Sequence, residues 1–149
     1  MKKMVCDQNI CQNIWRLLTY SLSLHTKLII MAKREYVRHI VAYKDYFKDF
    51  KKELPRKVIE KIYQVFIYIM TLEMIPNIYL KSIEGVRGLY EIRIEESGNI
   101  YRIFCCMDEG NLVILFNAFQ KKSQKTPKAE IEKAKRIMNE YYEQKKQMI

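Results

Sequence analysis

Four glycines and three prolines in 149 residues give this chain little flexible punctuation, and with 49% hydrophobic and 30% charged residues that scarcity excludes a disordered or low-complexity protein. Cysteine is also sparse. Cys6, Cys11, Cys105 and Cys106 make no paired CxxC knuckles, and neither His25 nor His39 stands at zinc-site spacing from them, so no metal or other cofactor is expected. The neighbours Cys105 and Cys106 point to opposite faces of a strand if one forms there, and read as small buried hydrophobes in a reducing compartment, most simply the cytoplasm. A long apolar run is missing too. Ile14 to Met31 is interrupted by Arg16, His25 and Lys27 and ends on no small-residue cleavage site, which argues against a membrane span or signal peptide. Met31-Ala32-Lys33-Arg34 looks like a second beginning, so residues 1–31 are expected to be a dispensable extension and 32–149 a single domain. A chain starting at Met31 should then stay soluble and active; loss of either property would count against that division.

What the chain has in excess is positive charge: 27 Lys and Arg against 17 Asp and Glu, a net charge of +10. Polyanionic partners fit such a balance. Residues 118–149 alone carry nine basic and four acidic side chains, so the surplus gathers at the C-terminal end.

Residues 35–43 alternate with β-branched and aromatic side chains and predict a first strand. Tyr46, Phe47 and Phe50 then mark one face of a short helix that Leu54-Pro55 ends. From Pro55 to about Met74 a second helix is expected, with Val58, Ile62, Val65, Phe66 and Ile69 as its stripe. Its further apolar residues Tyr63, Ile67 and Tyr68 signify either deep burial or a surface kept for a protein partner. Gly88–Glu95, Asn99–Met107 and Leu112–Phe119 are strand-like runs joined by Ser97-Gly98 and Glu109-Gly110, which predict a three-stranded antiparallel meander. Thr126 as cap and Pro127 in the first turn open a last helix with Ile131, Ala134, Met138 and Tyr141 along its buried edge. The expected class is α+β, in the order β, α, α, β, β, β, α.

Turn position fixes register. A Ser97-Gly98 turn sets Arg93 opposite Arg102, and a Glu109-Gly110 turn sets Arg102 opposite Asn117, so the three should form one row. The other face would be an apolar wall of Tyr90, Ile92 and Ile94, Tyr101, Ile103, Cys105 and Met107, and Leu112, Ile114, Phe116 and Ala118. Two facing arginines repel unless an anion lies between them, which is either a phosphate or the carboxylate of Glu91. Beyond Asn117 runs Phe119-Gln120-Lys121-Lys122-Ser123-Gln124-Lys125-Thr126-Pro127-Lys128, with four lysines and no acid. It reads either as a solvated loop or as an RNA-binding one, with Lys121 and Lys125 on phosphates, Gln124 and Thr126 adding hydrogen bonds, and Phe119 or Tyr90 stacking on a base.

The strings Gly88-Leu89-Tyr90-Glu91-Ile92-Arg93, Tyr101-Arg102-Ile103-Phe104 and, above all, Phe119-Gln120-Lys121-Lys122-Ser123-Gln124-Lys125-Thr126-Pro127 resemble the HigB-like, phage-derived toxins of the RelE/ParE superfamily. The likeness spans roughly residues 32–146. It implies a microbial-RNase-like fold, a small antiparallel sheet with two helices before it and one after, and a cognate antitoxin that often carries a helix-turn-helix. It also implies metal-independent cleavage of mRNA on the ribosome, which inhibits translation. By that resemblance Arg93 and Arg102 would stabilise the phosphorane, with Lys122 sharing the charge. Family members often place a histidine near the C-terminal end, whereas this chain has only His25 and His39. Glu91, a lysine of lowered pKa or a ribosomal group would then have to act as base. A gyrase-poisoning toxin of the ParE type, or a non-catalytic RNA- or antitoxin-binding module, would share the fold without the phosphate chemistry.

Overall fold

A computed structural model describes residues 36–148, so the expectations for residues 1–31, with Cys6, Cys11 and His25, lie outside the described residues. The elements are β1 (His39–Ala42), α1 (Tyr46–Lys52), α2 (Arg56–Thr71), β2 (Leu80–Ser82), β3 (Leu89–Glu96), β4 (Asn99–Asp108), β5 (Leu112–Lys121) and α3 (Lys128–Gln147). They build one five-stranded sheet in the order β1-β5-β4-β3-β2, antiparallel except for β1, which runs parallel to β5. The α+β class holds, with two corrections. The three-residue strand β2, at the edge beside β3, has too short a pattern to be read from sequence. The first strand is shorter than residues 35–43, because the backbone N–H groups of Val37 and Arg38 donate to the Met70 carbonyl at the end of α2.

Helix α2 forms because Val58, Ile62, Val65, Phe66 and Ile69 fall on one buried stripe, and Pro55 stands just before it where its missing N–H costs nothing. It ends under Arg38, whose guanidinium donates to the carbonyls of Leu72 (2.6 Å) and Glu73 (2.7 Å). Of its surplus apolar residues, Tyr63 is 2% exposed and Ile67 packs half-buried against the same core, while Tyr68 is half-buried with its ring on Tyr79.

The sheet is covered on both faces. Helices α1 and α2 bury one side, where Phe47, Ile62 and Phe66 meet Ile92, Ile94, Tyr101, Ile103, Cys105, Val113 and Leu115. Helix α3 covers part of the other, where Ala134, Ile137 and Met138 meet Leu89, Phe104, Cys106, Ile114 and Phe116. Cys105 and Cys106 accordingly fall on opposite faces, both buried and free, and burial pushes both thiols up, Cys106 to about 11.

The single apolar wall is therefore corrected at β5. Ser97 and Gly98 both take positive φ (51° and 76°), so the first hairpin has a type I′ turn and the expected pairs, Glu96 with Asn99 through Arg93 with Arg102. The second hairpin pairs Asp108 with Leu112, not with Asn111, because Asn111 (φ 58°) joins Gly110 (φ 71°) in a three-residue loop. That step alone moves Val113 and Leu115 onto the α1/α2 face. A β-bulge follows: Ile103 pairs with Ala118 and Cys105 with Leu115, which leaves Phe104 opposite both Phe116 and Asn117.

Helix α3 is fastened at the end of the sheet remote from its own start. Asp108 accepts hydrogen bonds from Lys145 Nζ (2.7 Å), from Tyr141 Oη and from the Glu109 N–H, while Tyr43 Oη donates to Gln144 (2.7 Å). Burial pushes the Asp108 carboxyl up, but these donors outweigh it and hold the group below its ordinary value of 3.8. A lowered folded pKa means that the stabilisation is complete above pH 3.8 and is lost as pH falls through the folded value. Asp108→Asn should thus cost about 1–3 kcal/mol at neutral pH. In urea unfolding, the gap to the parent chain should close below pH 3.8; a gap independent of pH would refute the assignment.

Candidate active site

On β3 and β4 the side chains facing α3 are Leu89, Glu91, Arg93 and Glu95, set against Cys106, Phe104, Arg102 and Ile100. The inner pairs lie under the helix. Past its first turn the cover ends, and there the sheet carries Arg93 and Arg102 side by side. Across them on β5 stands Phe119, not Asn117, since the three-residue loop and the bulge have each advanced that strand by a residue. Phe119 stacks on Phe104 at 5.7 Å between ring centroids, which makes it part of the packing beside the arginines.

Glu91 sits behind the arginine pair. Its Oε1 is 3.6 Å from Arg93 Nε and 3.7 Å from Arg102 Nε, near enough for charge attraction and too far for a hydrogen bond. Both Nε groups are buried and make no hydrogen bond among the described residues. Arg102 is 1% exposed and donates Nη1 to the Tyr101 carbonyl at 2.9 Å; burial lowers its pKa, against the pull of Glu91 and with the push of Arg93. The Arg93 side chain is 31% exposed, so it is the one presented outward while Arg102 makes the floor.

These two guanidiniums line a cleft of about 740 Å³ together with Glu95, Asn99, Lys121, Lys122 and Gln124. The sheet arginines and the lysine segment do converge, because β5 delivers Lys121 and Lys122 directly over the β3–β4 hairpin. Several expected residues lie elsewhere. Glu91 is 7% exposed and is not part of the cleft lining. Tyr90 points to the opposite face, packed against the α1/α2 core. Asn117, 2% exposed, donates Nδ2 to the Glu130 carboxylate (2.9 Å) and carbonyl (3.2 Å), tying β5 to the first turn of α3. Thr126 does not cap α3. Its hydroxyl donates to Glu91 Oε2 at 3.4 Å, and Pro127 holds the cap position without a side-chain bond. Lys125 is exposed outside the cleft. His39 pairs with Leu112 at the far end of β5, nine residues or about 30 Å from Lys121, and so lies outside any reach of the cleft.

The sequence model of the phage derived protein Gp49-like family (DUF891) matches residues 46–139, from the start of α1 into α3 and across the whole cleft. The chain belongs to that family. Gp49-like proteins are RelE/HigB-like toxins, so this member is a toxin at that level of description, with an antitoxin as its implied partner. No curated protein matches the chain. Among the described residues of this Gp49-like protein no helix is long and apolar enough to cross a membrane. Reasoning from sequence overlooked Glu95 as a cleft residue, although its place two residues beyond Arg93 on a strand puts it on the same face.

Proposed function

We propose that this Gp49-like toxin is a metal-independent endoribonuclease that cuts mRNA on the ribosome in the cytoplasm and is neutralised by a cognate antitoxin of helix-turn-helix type. The observation that carries the reading is the half-buried Arg93 and the buried Arg102, side by side in a cleft that Lys121 and Lys122 close from the β5 side. Forked guanidiniums match the oxygens of a phosphodiester, and their effect is greatest on a phosphorane, which carries one more negative charge than the ground state. The ribose 2′-hydroxyl attacks the adjacent phosphorus, leaving a cyclic phosphate and a free 5′-hydroxyl. Lys122 and Gln124 orient the RNA strand. Glu91, Asn117 and Thr126 act from behind as positioning residues, holding the arginines and both ends of the lysine segment. An acidic stretch of the antitoxin fits over the lysines, so its affinity should fall with salt.

Primer extension on mRNA after brief induction tests this reading. Cuts within coding regions are expected from the parent chain, and they should vanish with Arg93→Ala and with Arg102→Ala. Urea unfolding of both variants separates loss of cleavage from loss of the fold, which keeps the comparison clean. Growth arrest with uncut mRNA would overturn the nuclease in favour of a target such as gyrase.

A further inference from the structure

Acid and base are still required, and the rung of the sheet just beyond the arginines supplies candidates. Glu95 pairs with Ile100, and Ile100 pairs with Lys121, so one rung carries a carboxylate on β3, an apolar residue on β4 and an ammonium on β5. All three line the cleft. Glu95 is exposed, makes no ion pair or hydrogen bond with any described residue, and is the one carboxylate among the cleft-lining residues described. It is close enough to Arg102 to act on its charge. Glu91, by contrast, is 7% exposed and already held between two guanidiniums.

Resting on the nuclease reading above, we propose that Glu95 is the general base of the cleavage and Lys121 its general acid. Successive same-face rungs are about 6.7 Å apart, which sets Glu95 beside a phosphate held by Arg93. Two inter-strand spacings separate β3 from β5, about 9.6 Å, a span that an in-line displacement with a hydrogen bond at each end can bridge. Glu95 takes the proton from the 2′-hydroxyl as its oxygen bonds to phosphorus. The bond from phosphorus to the 5′-oxygen breaks, and Lys121 Nζ gives its proton to that leaving oxygen. Solvent then removes the proton from Glu95 and returns one to Lys121, so the protein ends as it began. Ile100, between the two, keeps carboxylate and ammonium from closing on each other as a salt bridge.

Cleavage by the full-length toxin of ribosome-bound mRNA, followed across pH, tests the assignment. Glu95→Gln should slow cleavage by about 10²–10⁴-fold and abolish the acidic limb of the pH–rate profile. The same variant should bind RNA as tightly as the parent or more so, because it removes a negative charge from a phosphate site, and Glu95→Asp should recover part of the rate. On RNA with sulfur in place of the 5′-bridging oxygen, a leaving group that needs no proton, Lys121→Met should regain its rate while Glu95→Gln should not. A Glu95→Gln protein that cuts like the parent at every pH would overturn the assignment while leaving the arginine site standing, provided Arg93→Ala is dead in the same assay. A parent chain that cuts no RNA would remove both.

Discussion

Cleavage by the Arg93→Ala/Arg102→Ala double variant is expected to fall about as far as with either single change, about 10²–10³-fold, the loss that follows removal of one donor to a developing anion and enough to erase the primer-extension cuts. The two singles should not add, because in the proposed site both guanidiniums serve one phosphorane and either loss would dismantle the same clamp. Arg93→Lys refines the expectation. It keeps the charge and loses the fork, so it should bind RNA nearly as well as the parent and cut it far more slowly. Lys122→Ala should do the reverse, weakening binding and lowering the salt dependence by about one phosphate contact while sparing much of the chemical step. Rates on saturating RNA and affinities across a salt series separate these outcomes. If Arg93→Ala cuts at the parent rate, the clamp is not where catalysis occurs.

The second large effect is on stability. Glu91→Ala should lower the free energy of unfolding by about 3 kcal/mol, because it strips the shared counter-charge from a guanidinium that is 1% exposed and from its neighbour. Inorganic phosphate should restore part of the urea midpoint in that variant, and more than it raises the parent's, since an added anion can take the carboxylate's place between the arginines. An unchanged midpoint would show that water already screens the pair. A destabilised variant indifferent to phosphate would mean that Glu91 serves the fold only through its bond with Thr126.

The arginine pair was legible because a Ser97-Gly98 turn with two left-handed residues admits one register, and everything from Arg93 to Arg102 follows from it. The second hairpin misled because asparagine also tolerates positive φ, so Asn111 could enter the loop and slide the strand by one. The bulge at Phe116-Asn117 has no local signature. It is stabilised by a hydrogen bond from the Asn117 amide to the Glu130 carboxylate, 13 residues on, which no count of alternation can anticipate. Burial on both faces did leave a trace: Ile103 to Cys106 and Val113 to Phe116 are unbroken apolar runs, as central strands between two helical layers require. The helices were the easiest part, since α2 and α3 each bury the stripe that their spacing defines.

The extra residue in β5 has a genetic corollary. Were the chain one amino acid shorter at Phe116-Asn117, a single residue would face Phe104, Ala118 would still pair with Ile103, and Phe119 and Lys121 would keep to the side of Arg102. One residue more between Ala118 and Phe119 would instead turn Phe119 and Lys121 to the opposite face. A frame-preserving gain of a single codon there should thus disarm the toxin while leaving every side chain of the proposed site in the sequence. Survivors selected from cells that lack the antitoxin are a natural place to find such insertions.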